Sequence, residues 1–569
     1  MRPSNLIYSV DEKPPALVCL VNAAQQLTII TPFLIYPILL MRAVGADDQT
    51  AANFVALSFL AVGVGTLLQA WPGRWTGSGF LISSSPAAAF VPIDIVAIKA
   101  GGIPLLTGMT LLAGCAEVAF AQIVRRFRPF FPAEISGLCI LLIGIYVGVL
   151  AIRALFGLDG ASQQATVTPR ELAISGATLA LMVGLNLWAK GPARMLCAII
   201  GVICGYGLAV AFGAFDPTSM RVLTSAAFFA LPRWQPALPS FSLDLVVPFG
   251  AAALICTLRG MGDVATAQKI NDRDWIRPDM TTIRKGIMSD GIATIMAALI
   301  GVIGANTQSS ANGMANATGV ASRYVAYWLG AMLIVFAFFP VVPAALVAMP
   351  RAVVGAAFLF TACFIMTSGL QIITSRLLDA RRTFIIGIAL TLSLGHEIFP
   401  GLYQSAPAAL APFVSSGLVI GLIIALLLNA LFRIGMRTRA SIEIPQGAAA
   451  HDAVRGFLEQ QGAKWGARRD VVERAIFGTA QAEESIVEHC NVQGPVTVEA
   501  SFDEFNLDIR LSWQGDDFVL PESRPSDEQI RETDEGLRLL AGFLIQRNAD
   551  RVRASRRGDR AVLEFHFQH

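Results

Sequence analysis

The feature that most limits what this chain can fold into is its succession of long apolar runs. Crossing ~30 Å of hydrocarbon takes roughly 20 helical residues, and about fourteen segments meet or approach that length. They lie at 15–42, 51–70, 79–99, 102–123, 133–155, 171–189, 194–214, 245–268, 283–305, 307–322, 324–346, 350–372, 382–397 and 409–433. Lipid offers no partner for backbone N–H and C=O groups, so spans of this length are read as helices. With 54% hydrophobic and only 15% charged residues, a chain of 569 residues has too few polar side chains to face water all round. The expected fold class is an all-α polytopic membrane protein with a small cytoplasmic α+β domain at its end.

A formal net charge of +2 is too small to imply a nucleic-acid partner, and the basic residues cluster by position instead. Alternate loops carry them: Arg74; Arg125, Arg126 and Arg128; Lys190 and Arg194; Lys269, Arg273, Arg277, Arg284 and Lys285; Arg376, Arg381 and Arg382; Arg433, Arg437 and Arg439. By the positive-inside rule these loops are cytoplasmic, which puts both termini inside and the chain in the inner (cytoplasmic) membrane, solvated by lipid. The opening MRPSNLIYSVDEKPP runs straight into the first apolar stretch, so no cleaved signal peptide is expected. Of the eight cysteines, all but Cys490 fall in apolar spans, without metal-ligand spacing. They read as small core residues, and neither disulfide, metal nor cofactor is expected.

Two segments break the apolar pattern with Gly, Pro and Ser: 76–92 (TGSGFLISSSPAAAFVP) and 304–319 (GANTQSSANGMANATG). They fall in the third and tenth spans, which are matching positions if the spans form two inverted repeats of about seven helices each. Both read as broken helices whose free N–H groups and positive ends favour an anion or a carbonyl-rich ligand. Kinked or re-entrant helices without a ligand are the competing reading. Ser83, Ser84 and Ser85 on one side, and Ser309, Ser310 and Asn312 on the other, can add donors, although small hydroxyls also serve helix packing.

A charge in mid-membrane costs about 3 kcal/mol or more and persists where it meets a partner or a polar cavity. Arg259 and Asp263, in LICTLRGMGDVATAQ, stand four residues apart and so on one helix face. They read either as a substrate-contacting Arg held by a carboxylate or as a structural ion pair. Gln25 and Gln26 in the first span either bond a substrate or brace the broken helices. Asp290 reads as a helix-to-helix anchor, and Asp94, Lys99, Glu117 and Glu134 as side chains near span ends that snorkel to the interface.

With these residues in view, 15–435 resembles the nucleobase/ascorbate transporter family of xanthine, urate and uracil permeases. The similar stretches are Gln25 and Gln26, VGVGTLLQ at 62–69, FRPFFPAEISGLCILLIGI at 127–145, GDVATAQ at 262–268, IRKGIMSDG at 283–291 and ANGMANATGVASR at 311–323. The last ends in Thr318, Gly319, Val320, Ala321, Ser322 and Arg323, as the family's tenth-span signature does. The resemblance implies a homodimer in which a core domain moves against a scaffold, elevator fashion.

The departures sit where the family holds its substrate. Arg259 takes the place of the ring-binding Glu, and Gln26 that of a His. Ser310 and Ala311 replace the Gln or Glu and the Asn that open the signature ahead of Asn312 and Gly313, and Pro86 stands about where an aromatic stacks on the base. An Arg for a Glu inverts the local charge and favours an anionic solute. The expected function is secondary active transport of a small polar or anionic solute, an oxopurine such as xanthine or urate, driven by a proton or ion gradient. A small-anion carrier like the bicarbonate and sulfate carriers is one alternative. A membrane ligand sensor signalling through the tail is another.

Composition changes after Arg439, which separates a transmembrane transporter domain, 1–440, from a cytoplasmic regulatory domain, 441–569. The tail predicts a helix at 465–490, strands at 495–502 and 505–513, a helix at 533–547 and strands at 550–555 and 561–568. AQAEESIVEHC, WQGDD and EGLRLLAGFL resemble the ATP-binding fold of anti-sigma-factor and histidine kinases. In that resemblance Gln481, Ser485 and Trp513 replace the Glu, the metal-binding Asn and the adenine-binding Asp, while Gly515 and Gly536 remain. The tail is therefore expected to lack catalysis and to serve regulation or assembly, with a cytoplasmic regulatory protein as its partner. A sulfate-carrier-type regulatory domain is the alternative.

Overall fold

The computed structural model describes residues 3–568 except 4–5, 128–132, 159–167, 191, 215–220, 222, 235–236, 274, 276–277, 375–379, 408–409, 415, 433–437, 445–449, 466, 468, 504–505 and 522–533, and it leaves a few helical side chains, Ser310 among them, undescribed. The chain forms two compact units, Met1–Asn429 and Ala430–His569.

The first unit is helical: α1 (Ala16–Ile30), α2 (Tyr36–Ala43), α3 (Asp48–Ala70), α4 (Val91–Phe127), α5 (Ala133–Phe156), α6 (Pro169–Trp188), α7 (Pro192–Met195), α8 (Cys197–Ala211), α9 (Leu243–Asn271), α10 (Met280–Ile300), α11 (Ser309–Thr318), α12 (Arg323–Ala337), α13 (Val341–Val347), α14 (Arg351–Ile373), α15 (Ala380–Ile398) and α16 (Pro400–Gln404), with the unit boundary falling in α17 (Gly417–Phe432). Among the described residues, six helices are long and apolar enough to cross a membrane, eight if each of two bent pairs counts as one span. The other expected spans include shorter apolar helices, such as α8 and α17, and the unbroken helices α10 and α15, which are not among these six. Helix ends follow local chemistry. Asp47 accepts from the Thr50 N–H (3.2 Å) to start α3, and Asp279 accepts from the N–H groups of Thr281 (2.9 Å) and Thr282 (3.1 Å) to start α10.

Both interrupted segments become a short strand followed by a half-length helix. The third and fourth expected spans are joined in α4, which breaks at Gly101 and Gly102; Gly102 adopts φ +68°, ψ −160°, a conformation open to glycine. Residues 91–100 before the break match the ten residues of α11. A helix of that length spans about 15 Å, half the hydrocarbon. Ahead of each lies a strand, β1 (Ser84–Pro86) and β2 (Ala305–Thr307), and the two pair antiparallel with Ser84 opposite Thr307, Ser85 opposite Asn306 and Pro86 opposite Ala305. The Ala87 N–H donates to the Gly304 carbonyl (2.8 Å) and the Gln308 N–H to the Ser83 carbonyl (2.9 Å), extending the ladder at both ends.

Small residues let the helices approach backbone to backbone. A Cβ on Gly63 of α3 would stand 3.0 Å from the Gly330 carbonyl of α12, one on Gly114 of α4 would stand 3.0 Å from the Gly291 carbonyl of α10, and one on Gly137 of α5 would stand 2.9 Å from the Gly369 carbonyl of α14. At the other end of α11 the chain's own N-terminal segment is docked. The Ile7 and Tyr8 N–H groups donate to the Gly319 carbonyl (2.7 and 3.1 Å), the Ala321 N–H to the Tyr8 carbonyl (2.9 Å), and Arg323 pairs with Asp11.

Several expectations are corrected by burial. Asp94 and Glu117 are 0% exposed and Glu134 is 3% exposed, so none of them snorkels, whereas Lys99 is exposed. α4 continues to Phe127, which puts Glu117 well inside a helix rather than at a span end, and Glu134 pairs with Arg382 at 2.7 Å. Asp290 is an anchor as expected, accepting from the Gln69 side chain of α3 (2.8 Å). Cys115, Cys204 and Cys363 are exposed rather than core residues.

The second unit runs β3 (Thr438–Ile444), α18 (Ala450–Trp465), α19 (Arg469–His489), β4 (Gln493–Phe502), β5 (Asn506–Gln514), α20 (Asp534–Asn548), β6 (Arg551–Arg557) and β7 (Arg560–Gln568), with an antiparallel sheet ordered β3-β4-β5-β7-β6. Alternate residues of β4 and β5, among them Val496, Val498, Ile509, Leu511 and Trp513, join Val454, Leu458, Ala475 and Ile486 of the helices in one core. Sequence reading located every element from α19 onward but not β3 or α18. β3 begins at Thr438 and buries Ile444, so this sheet starts inside the stretch assigned above to the membrane part. On the opposite face Arg510 bridges Glu499 (3.2 Å) and Glu564 (2.9 Å), and His566 meets Asp508 at 2.6 Å.

Two outcomes are expected. A chain ending at Arg437 should give a membrane unit whose melting temperature matches that of the full chain, while one ending at Ile444 keeps an unpaired strand and should aggregate on size-exclusion chromatography. The hydrogen bond to Asp508 raises the His566 pKa above the ordinary 6.5. A pKa raised by folding contributes stability that is fully present below the unfolded value and lost as pH rises through the folded one. The melting temperature of the second unit should therefore fall as pH rises from the ordinary histidine value of 6.5 through the raised His566 titration, and Asp508→Asn should flatten that slope.

Candidate functional site

The β1–β2 pair brings the starts of two half-helices together, and α9 passes beside them. Arg259 and Asp263 of α9 are 6% and 4% exposed, with Arg259 Nε 4.0 Å from Asp263 Oδ2. The guanidinium donates to Gln308 Oε1 at the entry to α11, and the Ser85 hydroxyl lies 3.5 Å from the same oxygen. Asp263 also lies against the Thr307 and Ser309 hydroxyls. Gln26 Nε2 donates to the Ala311 carbonyl (3.2 Å) and Asn312 Nδ2 to the Asp263 carbonyl (2.8 Å), which tie α11 to α1 and α9. Ser84 is fixed through its N–H, which donates to Thr66 Oγ1 of α3 (3.1 Å); a Cβ on Gly65 would press on the Ser84 side chain at 3.0 Å, so only glycine admits β1 this close.

Of the residues singled out from sequence, Arg259, Asp263, Ser85, Gln26, Ala311 and Asn312 thus form one connected cluster. Pro86 sits in β1 opposite Ala305, and Gly313 is exposed with open space where a side chain would project. Gln25 is buried and its Oε1 has no partner among the described residues. The side chain of Ser310 lies outside the described residues. Buried polar atoms without a hydrogen-bond partner among the described residues gather on the same elements: Gln26 Oε1, Ser83 Oγ, Ser84 Oγ, Asn306 Nδ2, Arg259 Nε and Asp263 Oδ2. Unpaired buried donors and acceptors are costly, and a polar solute is what such an arrangement can accommodate.

Sequence reasoning missed Gln308 and Tyr36. Gln308 precedes the signature by two residues, and nothing but its place at the end of a polar run marks it. Tyr36 is 1% exposed, stacks on Phe358 (5.5 Å between ring centroids), lies in electrostatic reach of Arg259 and has a hydroxyl without a hydrogen-bond partner among the described residues. Pro32 and Pro37 on either side of it, in a span read as one straight helix, were the available signal.

Comparison with known proteins identifies the family. Residues 19–401 match the family described as Permease family, Xan_ur_permease. The chain is 28% identical over 443 residues to xanthine permease XanP of Escherichia coli (strain K12), covering 75% of this chain and 95% of that one. It is 24% identical over 404 residues to nucleobase transporter PlUacP of Paenibacillus larvae subsp. larvae, covering 71% and 92%. Among solved structures, the murine Solute Carrier 26 family member A9 anion transporter in its inward-facing state gives a TM-score of 0.52 at 13% identity, over 77% of this chain and 72% of that one. That likeness concerns the fold alone. The family match takes in more than half of the chain and every element that builds the Arg259 cluster, and this multi-pass membrane permease, a transporter and not an enzyme, belongs to the xanthine/uracil permease family.

Proposed function

We propose that the protein is a secondary active transporter of an oxopurine such as xanthine or urate, bound as an anion at Arg259 and driven by a proton or ion gradient. The observation that carries this reading is the buried guanidinium of Arg259 at the junction of two half-helix starts, where dipole ends and free N–H groups add positive potential. The relatives named as xanthine and nucleobase permeases support the solute class. Tyr36, Gln308 and Ser85 are the neighbours suited to hold its ring edges. A small-anion carrier is the second reading; the inverted charge at position 259 favours it, and uptake into proteoliposomes with urate, bicarbonate and sulfate as competitors separates the two.

The wider architecture is part of the proposal: two inverted repeats of about seven spans, both termini cytoplasmic in the inner membrane, a homodimer, and a core that moves against a scaffold. The glycine crossings support the repeat. Gly63 and Gly330 join the second and eleventh spans, Gly291 and Gly114 join the ninth and fourth, and these pairs exchange when each span is matched to the one seven places on. The second unit is proposed as a regulatory module without nucleotide chemistry that meets a cytoplasmic protein. Trp513 is 1% exposed within its core and donates to the Asp516 carbonyl (3.0 Å), which supports a filled rather than an open adenine position.

Arg259→Ala should abolish xanthine and urate uptake and destabilise the fold by about 3–5 kcal/mol, because it leaves Asp263 buried without its cation. The double change Arg259→Ala with Asp263→Asn should recover melting temperature but not uptake; full uptake in either variant makes Arg259 structural. Calorimetry of the full chain with ATP and magnesium should show no binding. Each lost bond to a charged group costs about 1.5–3 kcal/mol, and a micromolar affinity would refute the comparison drawn at Gln481, Ser485 and Trp513.

A further inference from the structure

Glu117 lies outside the cluster just described, on the part of α4 that follows its break, and is wholly buried. Among the described residues, the elements packed against α4 bring few charges toward Glu117; Arg284 of α10 meets α4 at Gln122 (3.1 Å), five residues further along. α10 brings Asp290, and α9 brings the Cys256 thiol with Arg259 on the next turn. α2 also touches α4, but its Arg42 donates to the Val347 carbonyl (2.9 Å) and its Tyr36 lies toward Arg259. The guanidinium of Arg259 is held by Asp263 and Gln308. Among the described residues Glu117 thus faces the carboxyl of Asp290, while Arg259 is engaged by Asp263, in a buried setting where an uncompensated carboxylate is far costlier than a neutral acid.

Thr294 Oγ1 can donate to either the Ala305 carbonyl or Glu117 Oε2, and the contact to the carbonyl is the shorter of the two. Thr294 Oγ1 lies 2.9 Å from the Ala305 carbonyl oxygen and 3.4 Å from Glu117 Oε2. A threonine hydroxyl has a single hydrogen to donate. Ala305 stands opposite Pro86, and the ladder bonds run through the Ala87–Gly304 and Ser83–Gln308 pairs, so in an antiparallel ladder the Ala305 carbonyl points away from β1. Thr294 is the donor that satisfies it. With the hydroxyl hydrogen committed there, Glu117 can bond Thr294 only as a donor, that is, as the neutral acid. Its other oxygen, Oε1, has no partner among the described residues.

We propose that Glu117 is a proton-binding site whose occupancy controls the Thr294–Ala305 hydrogen bond, and through it the seating of β2 beside Arg259 and Gln308. When the proton leaves, the O–H bond of Glu117 breaks, the electron pair stays on the carboxylate and the proton passes to water. Thr294 then turns its hydrogen to Glu117, the Ala305 carbonyl loses its donor, and β2 is released from α10 at that point. Asn306 and Thr307 follow directly on the same strand, so proton occupancy is linked to the geometry of the site; this linkage rests on the reading of that site as the place where solute binds.

Infrared difference spectra of the full chain in lipid nanodiscs, wild type against Glu117→Gln, test the protonation itself. The expected result at neutral pH is a carboxylic-acid C=O band that Glu117→Gln lacks, that shifts in Thr294→Val and returns in Thr294→Ser. Carboxylate bands in its place, or a Thr294→Val spectrum identical to wild type, overturn the proposal. The linkage is read from xanthine and urate binding across pH. The wild-type Kd is expected to rise about tenfold per pH unit above the titration of Glu117, and the Glu117→Gln profile to be flat there; the same slope in both overturns the linkage. If neither purine binds the wild type at any pH, the transport reading fails, while the infrared result still decides the state of Glu117.

Discussion

Extended backbone in the middle of a bilayer persists only if its N–H and C=O groups are satisfied by protein, and the pairing of β1 with β2 is where this fold meets that condition. The ladder between them uses one set of groups. The outward-facing set is met from α3 and α10, where Thr66 takes the Ser84 N–H and Thr294 donates to the Ala305 carbonyl. Thr66 lies on α3 and braces β1, and Thr294 lies on α10 and braces β2. The two interrupted segments thus meet at their strands, where extended backbone is satisfied by protein on both sides. That meeting point is also where α9 delivers Arg259, so the residues that satisfy the extended backbone adjoin the buried polar cluster.

Much of this was legible in the sequence because membrane physics writes in long runs. The apolar spans and the two Gly/Ser/Pro interruptions announced where helices start and stop, and an Arg with an Asp one turn later announced a buried charged face. The side chains that complete the cluster were harder to see. Gln308 gains its meaning from a partner 49 residues away in sequence, and Tyr36 from a bend in the first span. Asp94, Glu117 and Glu134 were misplaced for a related reason: a carboxylate near a polar loop looks exposed until the helix carrying it is found to run on or to meet Arg382 from another span.

The second unit shows the opposite balance. Its later helices and strands alternate cleanly and were located to within a few residues, because a soluble α+β layer has one buried face per element. β3 was lost because its alternation is short and overlaps the basic stretch that marks the end of the last membrane span. A strand can carry two messages in the same residues, one about topology and one about a sheet, and composition reports only the first.

The docking of residues 7–11 against the turn after α11 has a consequence for the order of assembly. Ser322 donates to the carbonyl of Glu12 across 310 residues of sequence. At typical synthesis rates that separation corresponds to roughly 15 to 60 s between the two leaving the ribosome. Through that interval the bonds to Gly319, Ala321 and Ser322 cannot form, and α11 acquires this far anchor only when the older segment reaches it. An extension fused ahead of residue 7 would therefore act late, on the closing of a site that is otherwise built, rather than on the insertion of the spans.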